Sequence, residues 1–119
     1  MENQSELRFA RQLKKGVMEM LVLELLSKGP DYGYPLLTKL AETPFRFAEG
    51  QGRNTLSDPY RLEKDGMLKA FWQTGEGRST PKKIYKITEK GSEKLIRQKE
   101  IWRKFQEDIF FIQKKEAEL

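Results

Sequence analysis

Residues 67–88 read Met67-Leu68-Lys69-Ala70-Phe71-Trp72-Gln73-Thr74-Gly75-Glu76-Gly77-Arg78-Ser79-Thr80-Pro81-Lys82-Lys83-Ile84-Tyr85-Lys86-Ile87-Thr88. The two ends alternate, loosely over 67–73 and cleanly over 82–88, where Ile84, Tyr85 and Ile87 stand among lysines. A period of two marks a half-buried strand. Gly75 to Pro81 between them is a turn-rich, basic tip. Two short strands about such a tip predict a β-hairpin.

Upstream of the hairpin the period changes to that of a helix. From about Ser5, Phe9, Leu13, Val17, Met18, Leu21, Val22, Leu25 and Leu26 recur at spacings of three and four. Met20 and Leu23 widen the face until this helix is apolar nearly all round, so it is expected at the centre of a domain. Ser27-Lys28-Gly29-Pro30 ends it. Arg8, Arg11, Lys14 and Lys15 on its opening turns form either a solvated face or a basic arm lying along phosphates or a partner. Asp31 is expected to cap a second helix over about Tyr32 to Glu42, with Pro35 in the first turn, where a missing N–H costs little. Phe45 to Asn54 reads as a loop. A third helix leaves through Glu63-Lys64-Asp65-Gly66; Thr55 and Asp58-Pro59 are the two candidate starts, and a start near Asn54 or Thr55 that tolerates Pro59 in the first turns is favoured. Three helices and then a hairpin is the order of a winged helix-turn-helix.

Downstream, Thr88 caps a last helix running from about Glu89 to near the end. Leu95, Trp102, Phe105, Ile109 and Ile112 follow one another at seven, three, four and three residues, an a/d seam, with Glu93/Arg97 and Glu100/Lys104 as flanking pairs. About 28 residues make a rod of about 40 Å. That is too long to bury against the rest of the chain, and Ile101, Phe110 and Phe111 lie beside the seam. The obvious cover is an identical chain. The fold class expected is α+β, mainly α: a winged helix-turn-helix domain over 1–88 and a dimerisation helix over 89–119.

Composition narrows the function. The 119 residues contain no cysteine and no histidine, which removes disulfides, thiolate chemistry, the usual metal ligand and the commonest general base. No pair of acids stands in a cleft-forming context, so neither an enzyme nor a cofactor is expected. Val17 to Leu26 has the length of a signal-peptide core but contains Glu19 and Glu24 and lacks a small-residue cleavage site. With no 18-residue apolar run for a membrane, a cytoplasmic protein is expected, nucleoid-associated when on DNA. The net charge is +5. Between Arg53 and Lys90 there are nine basic residues against five acidic, so most of the excess sits mid-chain, where a nucleic-acid surface would lie. There are no internal repeats.

Four blocks then form a pattern: Lys15-Gly16-Val17-Met18-Glu19-Met20-Leu21-Val22-Leu23, Gly29-Pro30-Asp31-Tyr32-Gly33-Tyr34, Arg61-Leu62-Glu63-Lys64-Asp65-Gly66-Met67-Leu68 and Lys83-Ile84-Tyr85-Lys86-Ile87-Thr88-Glu89-Lys90-Gly91. In this order, over about residues 14–91, they resemble the PadR family of transcriptional regulators, in its branch with a short, single C-terminal helix. The resemblance implies a dimeric repressor whose recognition helix and wing bind a palindromic operator, released by a small effector, often a flat aromatic compound. One stretch departs from the family. Where it usually reads serine-glutamate-glycine-threonine-leucine-tyrosine-proline, this chain has Ala48-Glu49-Gly50-Gln51-Gly52-Arg53-Asn54-Thr55-Leu56-Ser57-Asp58-Pro59-Tyr60, with four residues between Gly50 and Thr55 and an acid before the proline. The family's base contacts therefore do not carry over residue by residue.

The candidate DNA-binding residues are Arg53, Asn54, Thr55, Ser57, Tyr60, Arg61 and Lys64 on the recognition helix, a mix of base-edge donors and positive charge, and Arg78, Lys82 and Lys83 on the wing. Without the family, the former are an ordinary solvated helix face and the latter solubilising charges on a hairpin edge. Trp102 is either a packing aromatic of the dimer seam or half of a sandwich that holds a planar effector, with Phe105 and Ile109 lining the same space. Two other readings stay open: a DNA-binding protein without a ligand, and a protein-interaction module that keeps the winged fold.

Overall fold

The computed structural model describes residues 4–41, 54–74, 77 and 80–117. Its elements are α1 (Gln4–Ser27), β1 (Asp31–Tyr32), α2 (Gly33–Ala41), α3 (Asn54–Lys64), β2 (Leu68–Gln73), β3 (Lys82–Ile87) and α4 (Glu89–Ala117). The strands form one antiparallel sheet in the order β1-β3-β2, with Leu68 opposite Ile87 and Gln73 opposite Lys82 in the hairpin. This is the winged helix-turn-helix expected from the element order.

The third strand is a correction. Asp31 and Tyr32, expected as the cap and first residue of the second helix, instead pair with Tyr85 and Ile84 of β3. Asp31 still serves the turn. Its Oδ1 accepts from the Tyr32 N–H (2.8 Å), and its Oδ2 lies 2.6 Å from Lys39 Nζ on α2. A side chain bonding to the neighbouring backbone supports a strand-to-helix turn as readily as a helix cap.

The core is the C-terminal half of α1 wrapped by everything else. Met18, Val22, Leu23 and Leu26 are buried against Leu36 and Leu40 of α2, Leu62 of α3, Met67, Leu68, Tyr85 and Leu95 of α4. Each fully buried leucine contributes about 1.5–3 kcal/mol relative to exposure. The N-terminal half of α1 is not covered in the same way, since Phe9 is 64% exposed. Only that part departs from the expectation of a central helix.

Two local devices join α3, the hairpin and α4. The chain leaves α3 through a Schellman turn, in which Gly66 N donates to Glu63 O (3.0 Å) and Met67 N to Leu62 O (2.8 Å). Gly66 takes the left-handed φ of +83° that the motif requires. Thr88 caps α4 as expected: its Oγ1 accepts from Gly91 N (3.0 Å) and donates towards Gly66 O (2.7 Å). Gly91 packs so tightly that a Cβ there would overlap the Met67 carbonyl. With Gly91 and Leu95 buried, the first two turns of α4 belong to the packing of the body. Further out, Glu100 pairs with Arg103 (2.6 Å) rather than with Lys104, and Arg103 also reaches Glu107 (2.5 Å).

Candidate nucleic-acid interface

α3 is anchored through Pro59 and Leu62, both fully buried. At 3.6 residues per turn this leaves Tyr60, Arg61 and Lys64 facing outward, and all three are exposed. Asn54, Thr55 and Ser57 lie in the opening turns of the same helix, their side chains outside the described part. Arg53 and Arg78 lie outside the described residues.

The outward side of α3 meets the base of the wing across a concavity of about 700 Å³, with Tyr32, Pro35, Tyr60, Lys82, Lys83 and Tyr85 among its lining. Lys82 Nζ stands 5.5 Å from the centre of the Tyr32 ring, whose hydroxyl donates to Gln73 Oε1 and so ties β1 to the end of β2. Lys83 Nζ lies 5.6 Å from the Tyr60 ring and 5.2 Å from that of Tyr85, cation–π distances that line up helix, lysine and strand. Its strongest partner is Glu63 Oε1 at 2.9 Å. The hydrogen bond to Glu63 holds the Lys83 ammonium above its usual range, against a smaller opposing effect of burial.

Two of the candidate cations are therefore already engaged inside the chain. Lys83 is turned to Glu63, and Arg61 Nη2 lies 3.4 Å from Glu19 Oε2 on α1. Lys82, on the lining of the concavity, and Lys64, at the end of α3, are exposed. Tyr32 joins the surface unannounced, because the second helix was expected to begin there.

A second groove, of about 380 Å³, runs between α1 and α4, lined by Leu13, Val17 and Met20 on one side and Ile101, Trp102 and Phe105 on the other. The Trp102 and Phe105 rings lie 5.7 Å apart, tilted by 30°. Gln98 on the wall buries an Oε1 that has no hydrogen-bond partner among the described residues. Of the seam residues, Leu95 is spent on the chain's own core at 6% exposure. Phe105, Ile109 and Ile112 stay exposed, and Ile109 does not line the groove. The α1 wall was missed because Leu13, Val17 and Met20 read as core. Among the described residues no cluster of acids could hold a metal, and no helix is long and apolar enough to cross a membrane.

The profile of the transcriptional regulator PadR-like family matches residues 22–97. The chain belongs to the PadR family of transcriptional regulators. Solved PadR-family structures agree. A regulator from Eggerthella lenta is 33% identical, with 82% of each chain covered and a TM-score of 0.68. A PadR-like transcription factor from Bacteroides fragilis is 31% identical, covering 85% of this chain and 94% of the other, with a TM-score of 0.67. PadR of Bacillus subtilis, solved in complex with operator DNA, shares the fold at 22% identity and a TM-score of 0.60, with 69% of this chain and 46% of that one covered. No curated protein matches significantly. The motif blocks of the PadR-family chain supply much of its core, through Met18, Val22, Leu23, Leu62, Met67, Leu68 and Tyr85, and part of the lining of both surfaces, through Gly16, Val17 and Met20 in the groove and Tyr32, Lys83 and Tyr85 in the concavity.

Proposed function

We propose that this PadR-family regulator binds an inverted-repeat operator as a homodimer, by placing α3 in the major groove and the wing beside it. The observation that carries the reading is the concavity in which Tyr60 of α3 faces Lys82 and Lys83 of the wing, with Lys64 exposed further along the same helix. Such a surface gives an outward helix for base edges and flanking cations for phosphates. The operator complex of the Bacillus subtilis relative supports it. Asn54, Thr55 and Ser57 supply donors in the first turns of the helix, with Arg53 before them and Arg78 at the wing tip.

The dimer is formed by α4, through Phe105, Ile109 and Ile112, together with the uncovered start of α1. Three exposed apolar residues on one stripe of a long helix favour a partner helix over water. A planar aromatic effector enters beside Trp102 and Phe105 and relieves repression. The unpartnered Gln98 oxygen favours a compound that brings its own hydrogen-bond donor, such as a phenol.

Selection of bound fragments from random duplex DNA tests the reading. The expected result is an enriched inverted repeat with half-site centres about one helical turn, 10–10.5 base pairs, or a multiple of it apart. Recovery of unenriched DNA, held with an affinity that depends on salt alone, would overturn it.

A further inference from the structure

The two acids that interrupt the apolar run of α1 both face α4. Glu24 Oε2 lies 3.2 Å from Lys99 Nζ. Glu19 Oε1 lies 2.6 Å from Lys94 Nζ and accepts from Gln98 Nε2 at 3.2 Å. Glu19 differs from Glu24 in what its second oxygen does. Oε2 lies 3.4 Å from Arg61 Nη2, on the recognition helix. One carboxylate in the centre of the molecule therefore spans two elements, with one oxygen given to α4 and the other to α3.

We infer that Glu19 is a positioning residue that sets the recognition helix against α4, and that Arg61 acts through Glu19 instead of reading a base. The inference rests on the DNA-binding reading above. In that reading α4 carries the dimer contact and α3 enters the groove, so the angle between them fixes the distance between the two half-sites. A carboxylate suits the bridge because both of its oxygens accept, whereas an amide offers one acceptor and cannot serve both helices. Arg61 suits the other end because its planar guanidinium resists rotation once held. The contact is too long and too exposed, with the Arg61 side chain 57% accessible, to matter much for folding. Pairs of this kind change an equilibrium by at most about fivefold. Orientation is what remains for it to do.

The test compares the full-length protein with Glu19→Gln and Arg61→Gln on duplexes carrying the selected half-sites at the selected spacing and with one or two base pairs inserted. A single half-site serves as control. The unaltered protein is expected to lose about tenfold or more in affinity per insertion. Both variants should lose only about threefold, and Glu19→Gln should bind the single half-site within about twofold of the unaltered protein. The double variant should be no more permissive than either single one. Unchanged spacing discrimination in Glu19→Gln, or a loss uniform over all duplexes, overturns the inference and leaves the DNA reading intact. So does a changed base preference at one operator position in Arg61→Gln, which would make Arg61 a reader. Should the unaltered protein itself ignore spacing, the symmetric-operator reading fails, and amide exchange without DNA still decides. Residues 61–64 should exchange several-fold faster in Glu19→Gln, and equal rates would overturn the bridge.

Discussion

Gly91 shows how much of this fold hangs on single residues. It is the third residue of α4, its N–H is capped by Thr88, and its missing side chain lets the helix lie against the carbonyl of Met67. Alanine would ordinarily favour a helix by up to about 1 kcal/mol over glycine. Here the added carbon meets backbone, which cannot turn aside as a flexible side chain would, and overpacking of this kind costs about 1–3 kcal/mol or more. Gly91→Ala is therefore expected to destabilise by about 2 kcal/mol net and to lower the melting temperature by roughly 10 °C. Thermal unfolding followed by circular dichroism checks this, and an unchanged or higher midpoint would contradict the close approach. The cap itself was legible in the sequence, because a threonine at a strand-to-helix junction acts on neighbours three residues away. The packing of Gly91 on Met67 was not, since it depends on how α4 docks on the turn after α3.

Between elements, the ion pair of Lys83 with Glu63 joins the wing to the recognition helix. Sequence reasoning places Lys83 among the DNA contacts because alternation puts it on a basic strand. It is blind to Glu63, which lies in a different element. The hydrogen bond raises the Lys83 pKa, so the pair's contribution is fully present below the unfolded value of about 10.4 and is lost only as pH rises through the raised folded value. Near neutral pH it is constant. Glu63→Gln should leave stability within about 1 kcal/mol, because both partners are partly exposed. It should also free one positive charge beside the DNA and remove an opposing negative one. The slope of log affinity against log salt is then expected to steepen by about one, with tighter binding at low salt. An unchanged slope would place Lys83 away from phosphate altogether. β1 teaches the same lesson about range, for two residues are too few to show alternation, and only their pairing with β3 makes them a strand.

For the whole molecule, the element order was enough to give the winged helix-turn-helix, since each helix and each hairpin strand carries its own period. The helix of the C-terminal segment was legible too, but which of its apolar residues the chain buries within itself was not. Leu95 and Trp102 sit one heptad apart and look alike in sequence, yet Leu95 completes the chain's own core and Trp102 lines a groove against α1. That division decides how the proposed dimer is to be probed. Removing the whole of α4 would also remove Leu95 and unsettle the body, whereas Ile109, 40% exposed on the outer half of α4, can be changed alone. An aspartate there would place an unpaired charge in an apolar contact between two chains, a cost of several kcal/mol to association with none to the fold of one chain.

Sedimentation equilibrium at micromolar concentration, with and without operator duplex, is the most direct measurement. The full chain is predicted to sediment as twice its 14.0 kDa mass and to load two chains on each duplex, while Ile109→Asp sediments as a folded single chain. Single molecules of the unaltered protein, persisting with duplex present, would contradict a regulator that works by holding two recognition helices at a fixed separation.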